Sequence, residues 1–249
     1  TEYKEVQHDK FDNLEEKQLY NVIEEMKVAA AMSYMPKVYI IEAEYMNAFA
    51  SGYSEKSAMV AITRGLMRKL NRSEMQAVMA HELSHIRHMD IKLNLTIAVL
   101  SNIMLIVIDF LFYSVVFNRN SRQGQHPIIL VIMLLRFVLP ILTLLLTLFL
   151  SSTREYMADA GSVSLMRDNE PMASALLKIH QDHKAHAEDY RYDYQDTPNE
   201  EVRRASYIYD PVKSGIEPAV SLTGAFSTHP KMADRLKAIG FVRRDRGQV

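Results

Sequence analysis

The stretch Ser73-Glu-Met-Gln-Ala-Val-Met-Ala-His-Glu-Leu-Ser-His-Ile-Arg-His88 begins with a capping box, Ser73 and Gln76, and the chain from Ser73 to Phe117 contains neither glycine nor proline. A single helix is predicted over that whole run, ending in the apolar stretch Leu93–Phe117. On such a helix His81 and His85 lie one turn apart on one face, so their imidazoles reach the same point, and Glu82 stands beside them. This spacing lets two neutral ring nitrogens hold a divalent ion while a carboxylate polarises a water bound to it. Five residues alone are also compatible with two solvated histidines on a surface helix, so the downstream sequence matters.

Leu93–Phe117 has 25 residues and Ile128–Leu150 has 23, and the two stretches carry only two charged side chains, Asp109 and Arg136. Each exceeds the roughly 20 residues that take a helix across a ~30 Å hydrocarbon core. Two transmembrane helices, 93–117 and 128–150, are therefore predicted. Their connection, Asn118-Arg-Asn-Ser-Arg-Gln-Gly-Gln-His-Pro127, is short and polar with Gly124 and Pro127 as breakers, which makes an antiparallel hairpin. Asp109 and Arg136 sit at similar depth, where an unpaired charge is costly, so they are expected to pair across the hairpin or to face a polar interior.

The composition narrows the chemistry. The 249 residues carry 29 Lys+Arg against 30 Asp+Glu, a formal net charge of −1 that offers no footprint for nucleic acid. With no cysteine there is no disulfide framework, no thiol nucleophile and no thiolate metal site, so any metal must be held by His, Asp or Glu.

Such an acid follows the second span, in Arg154-Glu-Tyr-Met-Ala-Asp159. Glu155 and Asp159 are i and i+4 on a predicted helix, so Glu155 can complete a His81, His85, Glu155 ligand set while Asp159 orients a ligand imidazole through its second nitrogen. At ~1.5 Å rise per residue, His85 stands about 12 Å beyond the start of the first span and Glu155 about 7 Å beyond the end of the second. A hairpin returns the chain to the same membrane face, so the two can meet over one ion, ~10–15 Å from the bilayer surface.

The remainder is read as helices around a small sheet. Asn13-Leu-Glu-Glu16 resembles a capping box for an amphipathic helix with Leu19, Val22, Ile23, Met26 and Ala30 on one face. Val38–Ile41, Ala48–Ala50 and Ala58–Ile62 read as strands, with Gly52 and Ser54 in the turn between the last two. Helical patterns cover Thr153–Arg167 and Pro171–Glu188, and Asp189–Pro218, rich in Tyr and charge, reads as a mobile loop. The domains expected are 1–92, first part of a catalytic domain; 93–150, the hairpin; and 151–249, its second part with a mobile loop at about 189–218.

This combination resembles the HtpX-type membrane zinc metalloproteases, relatives of the CAAX prenyl endopeptidases, from about Tyr39 to Ile239. The residues that carry the resemblance are Met46-Asn-Ala-Phe-Ala-Ser-Gly52, His81-Glu-Leu-Ser-His-Ile86, the hairpin, Thr153-Arg-Glu-Tyr-Met-Ala-Asp159, and Phe226-Ser-Thr-His-Pro230 with Arg235. It implies an α-helical membrane protein with a small β-sheet, a gluzincin-like metalloprotease core with the two-helix hairpin inserted between the zinc ligands. It also implies one Zn2+ per chain and an ATP-independent endopeptidase of the bacterial inner membrane that degrades damaged or misfolded membrane proteins. Its partners would be misfolded membrane proteins or unfolded peptides and the lipid bilayer. The family carries a further pair of transmembrane segments ahead of this region, so a chain starting at Thr1 is expected to be truncated.

Three protein ligands leave an open position for water, and Glu82 is the expected general base. By resemblance His229 stabilises the oxyanion, with Tyr156 the weaker choice. A fourth zinc ligand that latches the enzyme, or a cap for the helix after Pro230, remains open for His229. Arg235 is expected to orient that segment or to pair with an acid near the site, and a solvated helix face explains it almost as well. Asn47, Ala48 and Phe49 resemble the family's edge strand for extended peptide, although Phe49 also fits a core position. His88 is expected near lipid headgroups, and His180, His183 and His186 on a solvated face. Arg87, Lys92, Arg154 and Arg167 against Arg119 and Arg122 place the active site in the cytoplasm. Two other classes fit less of the sequence: a catalytically silent zinc-binding membrane scaffold that recruits substrates, and a metal transporter, which needs ligands near the midplane that the spans do not offer.

Overall fold

A computed structural model describes residues 3–116, 127–195, 206–211 and 230–241. The chain divides into two compact units, Thr1–Ile91 with Ser152–Val249, and Lys92–Ser151.

In the first unit, β1 (Tyr3–Val6), β2 (Lys37–Ile41), β3 (Ala48–Ser51) and β4 (Met59–Thr63) form one sheet in the order β1-β2-β4-β3. β2 and β4 are parallel, and the two outer pairings are antiparallel. β4 is central, and Val60, Ala61 and Ile62 are correspondingly buried without any polar alternation. Gly52, after β3, has φ +132, and a Cβ there would lie 2.6 Å from Ala58 Cα, so only glycine lets the hairpin close. β1 carries no apolar run. Its backbone is held by pairing with Val38–Ile41.

α1 (Leu14–Ala29) starts as its capping residues dictate: Asn13 Oδ1 accepts the Glu16 amide at 2.9 Å, while the Glu16 carboxylate accepts from the Asp12 amide at 3.1 Å. Leu19, Val22, Ile23 and Met26 form its buried face. After α2 (Arg64–Lys69) comes α3 (Arg72–Arg87), which packs against α1, β3 and α6 (Glu170–Ala185). The cap of α3 differs from the expected Ser73–Gln76 box: Asn71 caps the helix and Glu74 closes the box, each accepting the other's amide at 2.9 Å. Glu74 is the better partner because Lys178 and Ser174 of α6 also bind its carboxylate, at 2.8 and 2.6 Å.

A single helix from Ser73 to Phe117 does not form. α3 stops at Arg87, Met89 takes φ 56, and α4 begins anew over Asp90–Val116. α5 is one helix of 40 residues, Pro127–Met166, which unites the second apolar stretch with the predicted helix after it. α7 (Ala187–Gln195) and α8 (Met232–Ala238) complete the described elements.

α7 and the segment 206–211 correct the mobile loop expected over 189–218. Tyr190, Tyr194 and Tyr207 are buried in a second apolar cluster with Tyr45 and Phe49, and the Tyr45 and Tyr194 rings stack with centroids 4.1 Å apart. A scarcity of aliphatic residues hid this core, because each tyrosine buries a large ring while its hydroxyl can still find a polar partner. The other positions of that loop lie outside the described residues. His183 is likewise buried, not solvated, with Nε2 2.9 Å from Tyr194 Oη.

In the second unit, Lys92–Ser114 and Leu130 onward are long and apolar enough to cross a membrane, with mean hydropathies of 2.4 and 2.5. Only 6% of each apolar window is buried, which suits lipid and not the core of a soluble protein. Thr96, Asn102, Ser114 and Thr147 each bond the carbonyl four residues back at 2.7–2.8 Å, so these groups need no water. Asp109 and Arg136 pair as expected, Nε to Oδ1 at 3.1 Å, with the guanidinium 5.0 Å from the Phe112 ring.

α5 approaches α3 closely at Gly161, where an added Cβ would stand 2.4 Å from Ser84 Oγ and 3.0 Å from Ser84 Cβ. Ser162 Oγ ties the same turn to the Ala77 carbonyl at 2.6 Å. Ser84 Oγ is itself held on the Ala80 carbonyl at 2.8 Å, so it does not move freely. Gly161→Ala is therefore expected to destabilise the protein by about 1–3 kcal/mol, as overpacking does. Adding Ser84→Ala should return part of that loss in a double-mutant cycle of chemical denaturation. Strict additivity of the two changes would contradict this contact.

Candidate metal centre

α3 presents His81, Glu82 and His85, α5 presents Glu155 and Asp159, and α8 presents Arg235. His81 Nε2 and His85 Nε2 lie 3.1 Å apart, and the Glu155 carboxylate reaches within 3.5 Å of His85 Nε2 and 3.9 Å of His81 Nε2. One donor atom from each of the three residues falls within 4.8 Å of the others. A tetrahedral ion with Zn–N bonds of ~2.0–2.1 Å separates its ligand atoms by about 3.3 Å, in the middle of these distances.

The outer nitrogens decide what the inner ones can do. His81 Nδ1 is 2.9 Å from Asp159 Oδ1, and His85 Nδ1 is 2.7 Å from Asp90 Oδ2. A carboxylate accepts only, so a neutral ring beside it carries its hydrogen on Nδ1 and turns the lone pair of Nε2 inward; the Asp90 contact has hydrogen-bond geometry, and the Asp159 contact is close but less well aligned. Two lone pairs and a carboxylate converge on one point, an arrangement that requires a cation or a proton between them.

Asp159 is held from behind. Arg235 forms a two-pronged pair with it, Nε to Oδ2 at 2.8 Å and Nη2 to Oδ1 at 2.6 Å, with both residues buried. Burial works against the Asp159 charge, but Arg235 and the His81 hydrogen bond prevail and hold its carboxyl below the usual range. The Arg235 guanidinium also donates from Nη1 to the Ile208 carbonyl at 2.7 Å and passes 3.5 Å from Glu155.

Glu82 is buried, and neither carboxylate oxygen has a hydrogen bond of ordinary geometry among the described residues. Burial pushes its carboxyl up to about 8; His85 opposes the shift, Glu155 adds to it, and the Ala50 amide opposes it weakly. For His85, burial pulls the pKa down, but Asp90, Glu155 and Glu82 together carry it up to about 9. Burial keeps His81 below its ordinary value despite Asp159. The donor set and the orphaned carboxyl beside it suit a divalent ion with a water to activate.

Of the residues named from sequence, His81, Glu82, His85, Glu155, Asp159 and Arg235 come together here. His229 lies outside the described residues. Tyr156 is half-buried and outside the ligand group, and His88 is exposed at the C-terminus of α3. Asn47, Ala48 and Phe49 are buried at the edge of the sheet, but part of that edge is taken. The Ile208 amide donates to the Ala48 carbonyl at 2.9 Å, Phe49 bridges to Tyr207, and the Asn47 side chain donates to the Tyr209 carbonyl at 3.0 Å. Sequence reading missed the 206–211 segment and Asp90. The only signal for the first was its three closely spaced apolar side chains, and for the second a carboxylate soon after the second histidine.

Residues 13–241 match peptidase family M48. The chain is 40% identical over 238 residues to the "Protease HtpX homolog" of Helicobacter acinonychis (strain Sheeba), covering 96% of this chain and 71% of that protein. It is 35% identical over 228 residues to the protein of the same name from Dictyoglomus thermophilum, covering 89% and 68%. The crystal structure of S. mikatae Ste24p has a similar fold, with a TM-score of 0.53 at 20% identity, covering 95% of this chain and about half of that one, 50%.

With His85 at about 9 and Glu82 at about 8, the metal-free centre carries protons on both at pH 7. A metal must displace the His85 proton, so Zn2+ binding is expected to release about one to two protons and to weaken as pH falls below about 9. Calorimetric titration in buffers of different ionisation enthalpy measures this. Identical enthalpies in all buffers with a pH-independent affinity would contradict it.

Proposed function

The chain belongs to peptidase family M48, and from that premise we propose that it is a zinc-dependent, membrane-anchored endopeptidase. The observation that carries this reading is the convergence of His81 Nε2, His85 Nε2 and Glu155 beside the buried, unsatisfied carboxyl of Glu82. His81, His85 and Glu155 would hold one Zn2+, which when bound would supply Lewis-acid chemistry to the scissile carbonyl and to water. Glu82 takes the proton from the attacking water and delivers it to the leaving amine. A carboxyl near neutrality can do both, and a cation on the neighbouring imidazoles lowers the Glu82 pKa toward the basic form needed first.

Asp159 and Arg235 hold His81 in the tautomer that faces the metal. His229 serves the oxyanion or latches the metal. Substrate adds as a strand along β3, whose edge, among the described residues, is taken at Ala48 and Phe49 by the 206–211 segment. Thr63 N donates to the Asn47 carbonyl at 3.0 Å on the β4 side, so alternation turns the main-chain groups of residues 48 and 50 outward. The Ala50 amide acts on the Glu82 carboxyl, which fits a peptide laid there passing the base.

The hairpin 93–150 lies between His85 and Glu155 in the chain, which supports a ligand set enclosing a membrane insertion, and the bias of flanking cations favours the cytoplasmic side for the centre. Backbone recognition at the edge of a membrane suits damaged or misfolded membrane proteins, degraded without ATP under stress. In detergent, the zinc-loaded protein is expected to cleave an unfolded membrane-protein substrate, to stop on chelation and to recover with Zn2+. Glu82→Gln should retain zinc and lose at least about a hundredfold in rate. Unchanged cleavage by that variant would remove Glu82 from its role, and absence of cleavage by the loaded wild type would leave a zinc-binding scaffold.

A further inference from the structure

We propose that Asp90 is a positioning residue for the metal centre, whose carboxylate fixes the tautomer and angle of His85 as Asp159 does for His81. This rests on the reading that His81, His85 and Glu155 hold zinc.

The contact is not what the local sequence would give. On an uninterrupted helix a residue five places on stands about 140° around and about 7.5 Å along the axis, out of reach of His85 Nδ1. The chain breaks between the two. α3 ends at the His88 cap, Met89 adopts φ 56, and the turn brings Asp90 Oδ2 to 2.7 Å from His85 Nδ1. A left-handed residue also follows the ends of α1 and α5, at Ala31 and Arg167, and here it ends α3 in time for Asp90 to turn back toward His85.

Asp90 is then gripped by the helix that brings the third ligand. Arg154, the neighbour of Glu155, donates from Nη1 to the Asp90 carbonyl at 3.1 Å, and Asp90 and Arg154 are both buried. Each imidazole therefore has a carboxylate on its outer nitrogen and an arginine behind that residue: His81 with Asp159 and Arg235, His85 with Asp90 and Arg154. Fixing the hydrogen on Nδ1 keeps the Nε2 lone pair on the metal, and the negative partner makes that nitrogen a stronger donor. The bland alternative is that Asp90 merely begins α4, where an acid suits the positive end of the helix.

The test is Zn2+ affinity of the full chain in detergent, by competition with a chromophoric chelator, together with the visible spectrum of the Co2+-substituted protein. Asp90→Ala is expected to weaken Zn2+ binding about 10–100-fold and to shift the Co2+ bands. Asp90→Asn keeps an acceptor without the charge and should fall between wild type and alanine, with a smaller band shift. If alanine fails to fold, the asparagine variant alone carries the test. Zn2+ affinities within about twofold of wild type and unaltered Co2+ bands, with only the melting temperature lowered, would overturn the proposal in favour of a helix-starting role. Failure of the wild type to bind Zn2+ would instead overturn the reading of the centre itself.

Discussion

Two neutral imidazoles that each donate from Nδ1 must each present a lone pair from Nε2, and here those nitrogens lie 3.1 Å apart with a carboxylate beside them. Left alone, that arrangement repels itself. It persists because Asp159 and Asp90 take the outer hydrogens and because three helices bring their side chains to one place. The stability of the centre is therefore conditional. The protein part supplies geometry, and the cation or proton at the focus removes the conflict. Burial lowers the His85 pKa, but Asp90, Glu155 and Glu82 carry it up, whereas burial itself raises that of Glu82.

Holding such a focus needs close helix contact as well as charge. α3 and α5 meet where Gly161 offers no side chain, with the adjacent Ser162 bonded to the Ala77 carbonyl. Burying Asp159 and Arg235 together costs desolvation of both, and the two-pronged pair with the Ile208 bond offsets it only while every partner is present. Removing either residue leaves a buried charge of the other sign. The Asp159–Arg235 pair thus acts less as glue between elements than as a lock on one rotamer of His81.

The sequence made the centre legible because its chemistry is written in residue types that have few other uses at that spacing: two histidines one turn apart, and an acid pair, Glu155 and Asp159, also one turn apart. The apolar stretches were legible by length alone, and the Asp109–Arg136 pair by the cost of leaving either charge alone in lipid. Interruptions were not. Nothing between Ser73 and Phe117 breaks a helix by propensity, yet Met89 takes the left-handed conformation that ends α3, and Asp90 reaches back to His85. The tyrosine-rich region failed for a related reason. Counting aliphatic residues undervalues a core built from rings, and the partners of Tyr190, Tyr194 and Tyr207 lie more than a hundred residues away in sequence, at Tyr45 and Phe49.

That aromatic core has its own direction. His183 Nδ1 lies 2.9 Å from the Ile179 carbonyl, which can only accept, so Nε2 must accept from the Tyr194 hydroxyl. The same hydroxyl oxygen accepts from Asn47 Nδ2 at 3.0 Å, which fixes the Asn47 amide with its oxygen toward the Ala48 and Tyr209 amides. Asn47 Nδ2 closes the circuit on the Tyr209 carbonyl. A neutral His183 gives every hydrogen in this chain a place, and burial pushes its pKa down to about 4, leaving it uncharged throughout the physiological range. A stripe of histidines that looked like a solvated face therefore contains the residue that sets the polarity of the network. Asn47, at the head of β3, is the joint through which that polarity reaches the sheet edge beside Glu82.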